Sequence, residues 1–332
     1  MEPTPDQKTT PATGTPSPRK EYGEAQIQVL EGLEAVRKRL DFNVLLHEAK
    51  KRGDSKKLIE KYSLKNNSLF ARALSEAKLL NFFPDLEKSK APLLTTFKIR
   101  RELDLFMKTS DIKAMPVRSL RKAIKEWKST LSKNPRILLS EEQHNVIIGM
   151  LLGDGSLRKR GKNTLFRVEH SEKQKDYLFW IHDLFSEFTL SKPKSYMHKN
   201  HKYASHSFTT FAHPLFNYYY GLFYKDGRKQ VNEEILNQIT PQGLAMWISD
   251  DGSYCNSIKD MILCTNSFSL EEHKLMQKYF LEKWGLNCSI RFRDGKYYYL
   301  TFYKKDTGKL IDLIKDHIPV DNMRYKIGEK ND

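Results

Sequence analysis

Two acids and two lysines recur at matched separations. Asp154 closes the apolar stretch of NVIIGMLLGDGSL (145–157), and Asp251 closes that of QGLAMWISDDGSY (242–254), 97 residues later. Seventy-five residues beyond each acid stands a lysine in a basic context, Lys229 in KDGRKQV and Lys326 in NMRYKIG. Two spacings in one register mark an internal repeat. Asp250 and Asp251 also fall where an apolar helix ends, at the negative pole of its dipole, where an acid costs roughly 0.3–1 kcal/mol. Two carboxylates brought together at two such ends repel and take up a proton unless divalent cations neutralise them. Neither motif contains Cys or His, so hard oxygen donors indicate Mg²⁺, two or three ions shared by the pair. Carboxylates, metal and one lysine per half are the parts needed to hydrolyse two phosphodiesters, each lysine deprotonating the attacking water or neutralising developing charge. A twofold site matches the two strands of a duplex.

The elements that must hold these residues repeat as well. After Asp154 the pattern gives a strand at 165–170, a helix over 171–188, strands in SYMHK and HSFTTF, and a helix over 214–224. After Asp251 come a strand at 261–266, a helix over 269–284, a hairpin at Asp294-Gly295 within NCSIRFRDGKYYYLTFY, and a helix over 305–315. Each half reads αββαββα, which predicts a monomer with an internal pseudo-twofold and its two motif helices at the axis. Gly149 with Gly153, and Ala245 with Ser249, would let those helices approach closely.

Net charge of +16 points to a polyanionic partner, and no apolar run reaches the length of a membrane span, so nucleic acid is favoured over a membrane surface. Cys255, Cys264 and Cys288 show no metal-ligand or disulfide spacing, which fits a reducing compartment, the cytoplasm or an organellar matrix. Residues 51–140 hold 22 Lys and Arg against 9 Asp and Glu. The organisation expected is a disordered segment (1–20), a short amphipathic helix within 21–39, a basic helical extension (40–140), a first half (141–240) and a second half (241–332). The extension includes KKLIEKYSLKNNSLFARALSEAKLL, whose pattern allows a helix-turn-helix. SKNPRILLS supplies the linker, with Ser140 capping the first motif helix. The ribbons offer side chains for a major groove: Arg158, Lys159, Arg160, Lys162, Arg167, His170, Lys194, Tyr196, His198 and Lys199 in the first half, and Tyr254, Asn256, Lys259, Asn266, Arg291, Arg293, Lys296 and Tyr298 in the second.

These motifs resemble the LAGLIDADG homing endonucleases in their single-chain, two-motif form, over about residues 143–330. LAMWISDDG matches the nine-letter name at Leu244, Ala245, Ile248, Asp251 and Gly252; IIGMLLGDG matches at Gly149, Asp154 and Gly155. The resemblance implies an α+β fold and site-specific cleavage of double-stranded DNA. It implies Asp154 and Asp251 as metal ligands, with the carbonyls of Gly153 and Asp250 as further ligands and Lys229 and Lys326 supporting the solvent network. Separately, EYGEAQIQVLEGLEAVRKR (21–39) resembles the start of the gyrase B protein and departs from it at Leu40. A reading frame running from a gyrase B exon into a mobile intron accounts for both, with a homing site spanning the insertion point. An intein is disfavoured, because there is no Cys or Ser at the Leu40 junction and no terminal His-Asn.

Two other readings use the same fold. An RNA maturase would bind its own intron and assist splicing, and a non-catalytic DNA-binding regulator would tend to lose the motif acids, which are both present. The histidines of HKNHKYASH (198–206) suit a DNA-facing ribbon better than zinc.

Overall fold

The computed structural model describes residues 89–197 and 204–329, together with Leu79, Phe83, Leu86 and Glu87. The gyrase-like segment, the amphipathic helix, most of the helix-turn-helix stretch and His198 and Lys199 lie outside them. The chain divides into two compact units after Ala123. This boundary precedes the expected linker, because Leu131, Leu138 and Leu139 are buried and belong to the second unit.

In the first unit, α1 (Ala91–Leu94) and α2 (Arg100–Thr109) bury Leu94, Leu103 and Phe106. Lys90 is buried with them, its ammonium donating to the carbonyls of Ile112 and Lys113 at 3.0 and 2.6 Å. A third helix, α3 (Val117–Leu131), carries the chain across the boundary.

The second unit opens on α4 (Glu141–Leu152). Ser140 and Gln143 form a reciprocal capping box at its start, and the helix is buried continuously from Gln143 to Leu152. A helix buried all round needs no polar face. Its counterpart α8 (Pro241–Asp251) is capped by Thr240, begins on Pro241 and is buried from Gly243 to Asp250. The two helices meet backbone to backbone: a Cβ at Gly149 would lie 2.0 Å from the Gly243 carbonyl oxygen. Gly149 was expected at this contact; its partners are Gly243 and Met246 rather than Ala245 and Ser249.

Two four-stranded antiparallel sheets follow the helices. The first has β1 (Ser156–Arg160), β2 (Asn163–Ser171), β3 (Lys194–Met197) and β4 (Ala204–Thr209) in the order β1-β2-β4-β3. The second repeats that order with β7 (Gly252–Cys255), β8 (Asp260–Leu263), β9 (Cys288–Arg293) and β10 (Tyr297–Phe302), as β7-β8-β10-β9. In the first half α5 (Lys175–Leu184) and α6 (Phe216–Phe223) pack against β2. In the second, α9 (Leu270–Trp284) packs against β9 and β10, and α10 (Lys304–Ile314) against β8 and β10. Both halves are therefore αββαββα. The expected 171–188 helix is interrupted: a 3₁₀ turn at Glu172–Gln174 precedes α5, and another at Ser186–Phe188 follows it.

Each half ends differently. The first continues into a two-residue hairpin joining β5 (Tyr224–Lys225) to β6 (Arg228–Lys229), and a short helix α7 (Glu233–Asn237) leads to α8. The second ends in a 3₁₀ helix, Asp321–Ile327. Among the described residues no helix is long and apolar enough to cross a membrane.

Candidate active site

Gly153 ends α4 and Asp251 ends α8, and the two helix ends meet where Gly153 lies against Asp250. There Asp250 reaches across: its Oδ2 accepts the backbone N–H of Asp154 at 2.8 Å. A Cβ at Gly153 would lie 2.5 Å from the Asp250 side chain, so only glycine leaves room for that reach. Asp154 keeps a half-exposed carboxylate, while the Asp250 side chain is fully buried.

The lysines repeat with matching geometry. Lys229 Nζ donates to the carbonyls of Gly153 and Gly155 at 2.8 and 2.9 Å, and Lys326 Nζ to those of Asp250 and Gly252 at 2.8 and 2.9 Å. Each ammonium thus clamps the two carbonyls that flank its motif acid. The scaffolds are unrelated. Lys229 rides on the β5–β6 hairpin, whose Asp226-Gly227 turn has positive φ at both residues. Lys326 rides on the terminal 3₁₀ helix, anchored where Gly328, at φ 83°, packs under the Tyr254 ring. The DG signal in KDGRK marks the first scaffold in the sequence, whereas the second leaves no comparable signal. The Gly153 and Asp250 carbonyls, expected to face metal, accept these ammonium groups.

The electrostatics are those of crowded acids. Burial and the neighbouring Asp154 carboxylate push Asp251 up to about 7. Burial, then Asp154 and Asp251, raise Asp250 well above the carboxylate range. Burial lowers both lysines, opposed by the same acids. Asp250 Oδ1 is buried without a hydrogen-bond partner. Acids held partly protonated, with an orphaned oxygen among them, are the donor set that a divalent cation would neutralise, so these residues fit such an ion.

His170 departs from the expectation of a groove-reading residue. Residues of β2 alternate, with Thr164, Phe166, Val168 and His170 buried on the helix side. Its imidazole lies between the acids, Nδ1 3.6 Å from Asp154 Oδ2 and Nε2 3.7 Å from Asp250 Oδ1. Burial takes its pKa down to about 4, against the pull of Asp154. Nothing in the sequence distinguished it from its ribbon neighbours except the parity of its strand.

The same alternation sorts the other ribbon residues. Register pairs Ser156 with Arg167, Arg158 with Leu165 and Arg160 with Asn163, so Arg158, Arg160 and Arg167 share the face away from the helices. Lys194 and Tyr196 pair with Ser207 and Ser205 on that face. Arg167 is paired with Glu169. Lys159 points the other way, its ammonium 4.4 Å from the Tyr220 ring. In the second half Arg291 and Arg293, opposite Tyr299 and Tyr297, lie on the outer face. Tyr254 and Tyr298 do not: the first packs on Gly328, the second against Phe292 and His273. Lys162, Asn256, Lys259, Asn266 and Lys296 are exposed at strand ends and loops. His206, at the described end of HKNHKYASH, is held by Ser195 and Glu172.

The sequence profile of the LAGLIDADG DNA endonuclease family matches residues 144–310. A probable intron-encoded endonuclease 1 of Wickerhamomyces canadensis is 31% identical over 215 residues, covering 62% of this chain and 90% of its own. A cytochrome b mRNA maturase bI2 of Debaryomyces hansenii is 28% identical over 199 residues, covering 57% of this chain and 75% of its own. Among solved structures, the homing endonuclease I-WcaI bound to its DNA recognition sequence is 29% identical, covers 62% of this chain and 92% of its own, and superposes with a TM-score of 0.54.

Proposed function

Because the chain belongs to the LAGLIDADG DNA endonuclease family and is on that ground a homing endonuclease, we propose that it cuts both strands of one DNA site, each half of the paired centre cutting one strand. In this reading Asp154 and Asp251 hold divalent cations, Mg²⁺ in the cell, which supply an activated water and stabilise the leaving oxygen. The observation that carries the reading is the repeated clamp: two lysines on unrelated scaffolds bond the carbonyls flanking two motif acids at the same distances.

The chain's own groups have these tasks. Lys229 and Lys326 fix the last turn at each acid and bring positive charge to the place where the scissile phosphate becomes more negative. The Asp250 carboxylate holds the backbone of Asp154 and sets the distance between the two halves. Arg158, Arg160, Arg167, Lys194, Arg291 and Arg293 present cations and fork donors to DNA on the outer faces of the sheets. Loops bearing Lys162, Lys259 and Lys296 extend that contact. The chain acts as a monomer, since both acids and both lysines are its own.

The gyrase-like residues 21–39 identify the target we propose: an intronless gyrase B gene, across the point where the resemblance stops. Purified protein with Mg²⁺ and that gene is expected to give one double-strand cut; an uncut gene overturns the assignment. A second reading, an RNA maturase acting on its own intron, is favoured by the maturase relative. Splicing of the host intron that is unaffected by loss of the protein would eliminate it.

A further inference from the structure

Among the described residues at the centre, His170 is buried with neither ring nitrogen in a hydrogen bond of ordinary geometry, Gln174 alone lying near enough to bond the ring weakly. It is nearly inaccessible, and Asp250 Oδ1, which it faces, is equally buried and outside ordinary hydrogen-bond geometry, with the Tyr177 hydroxyl nearby. A buried imidazole beside a buried carboxyl oxygen, neither in an ordinary hydrogen bond, is unfavourable in such surroundings. Both groups are held in place. Asp250 is anchored through Oδ2 on the Asp154 N–H, and the imidazole rests on Tyr177, ring centroids 5.0 Å apart. Tyr177 is in turn bonded through its hydroxyl to Met150 Sδ and Met246 Sδ on the two motif helices.

One donor atom each from Asp154, His170 and Asp250 lie within 4.8 Å of one another. Ions with bonds of ~2.1 Å to nitrogen and oxygen hold three ligands roughly 3.0–3.6 Å from one another. Binding draws the donors together by about an ångström, and Asp154, the half-exposed member, has the freedom to supply that movement. Its exposed side is also the way in. The donor set is one imidazole and two carboxylates, with His170 and Asp250 buried. That set disfavours Mg²⁺, which keeps several waters, and suits a borderline transition ion.

The second half has no equivalent. Where Asp250 stands in one motif, the other has Gly153. The strand register places Thr265 where the first half has His170, and its hydroxyl is bonded to His273 Nε2 at 2.7 Å. We propose that Asp154, His170 and Asp250 form a single-ion site for a transition-metal dication of the Zn²⁺ or Co²⁺ class, distinct in position from the ions shared by Asp154 and Asp251. This goes beyond the cleavage reading and is independent of DNA.

The test uses the full chain without DNA, titrated with Co²⁺ in the presence of a large excess of Mg²⁺. Proton NMR is expected to show an exchangeable, hyperfine-shifted imidazole N–H at one equivalent. His170→Gln removes that resonance, and Asp251→Asn keeps it. Asp250→Asn, whose amide oxygen still accepts the Asp154 N–H, weakens Co²⁺ binding at least tenfold. Thermal melting without metal verifies that each variant is folded; if His170→Gln is not, Asp250→Asn decides. A shifted imidazole N–H that survives His170→Gln, Co²⁺ binding unchanged in Asp250→Asn, or loss of the resonance in Asp251→Asn overturns the proposal.

Discussion

Asp250 accepts the Asp154 N–H at 2.8 Å, so a carboxylate of the second motif closes the last turn of the first. The reverse bond does not exist, because the residue equivalent to Asp250 is Gly153. The two halves are joined at their chemical centre by a one-way contact, and the acids they contribute are not in the same environment: Asp154 is half exposed, while burial raises Asp251.

Each motif acid should serve one strand. Asp154→Asn and Asp251→Asn are each expected to lose double-strand cleavage by at least 1000-fold while still nicking supercoiled plasmid. Gel analysis of nicked against linear product checks this. A single substitution that stops all nicking, or one without effect, ends the paired-site account.

The lysine clamp should matter equally on both sides. Lys229→Met and Lys326→Met keep the length of the side chain and remove the ammonium from two carbonyls each. We expect about a 100-fold loss in the rate of the affected strand, measured by single-turnover nicking. A loss in one variant alone would mean that the repeated geometry does not carry a repeated role.

Gly149 has no space for a side chain. An added methyl would meet the Gly243 carbonyl at 2.0 Å, backbone that cannot yield without separating the helices. Gly149→Ala is expected to cost about 3 kcal/mol and to lower the melting temperature by roughly 6–12 °C. The same change at Gly243, where the nearest atom is 3.0 Å away, should cost less.

Stability without metal should reveal the cost of ionising Asp251. Its folded pKa, raised to about 7, exceeds its unfolded value, so the folded state holds the proton more tightly and loses stability as pH rises from about 4 to about 7. His170 and His144, both lowered to about 4, act in the opposite sense between about 4 and 6.5, so the wild-type curve alone is a sum of opposing slopes. The difference between Asp251→Asn and wild type reports Asp251 together with its pull on Asp250, whose pKa it raises. In chelator the variant should melt higher at pH 8, with the advantage vanishing near pH 4, and added Mg²⁺ should reverse the order at pH 8.

Strand parity should divide neighbours. Arg160→Ala is expected to weaken DNA binding and to reduce the slope of log affinity against log salt by about 1, whereas Lys159→Ala, whose ammonium faces Tyr220, should leave the slope unchanged.

What was legible in the sequence had a period or a spacing. The capping signal at Ser140, the hairpin at Asp294-Gly295 and the two sequences of αββαββα follow from local chemistry, and the fold repeats them. The pairing of Asp154 with Asp251 and of each with its lysine was legible because duplication wrote each twice. What was not repeated was not legible. Gly243, rather than Ala245 or Ser249, meets Gly149 because the helix crossing point depends on tertiary packing. His170 lies behind the acids because strand parity depends on where β2 begins, and a shift of one residue would have put it on the outer face. Tyr254 and Tyr298 were misplaced for the same reason.

The difference between Gly153 and Asp250 has a consequence for orientation. A molecule with two equal halves presents the same surface after a half turn and gains most from an inverted repeat in its target. This chain does not map onto itself under that turn, even at the axis where equivalence would be easiest to keep. Rotated end for end on a duplex it is a different ligand, so the target expected of it has a head and a tail rather than a palindrome.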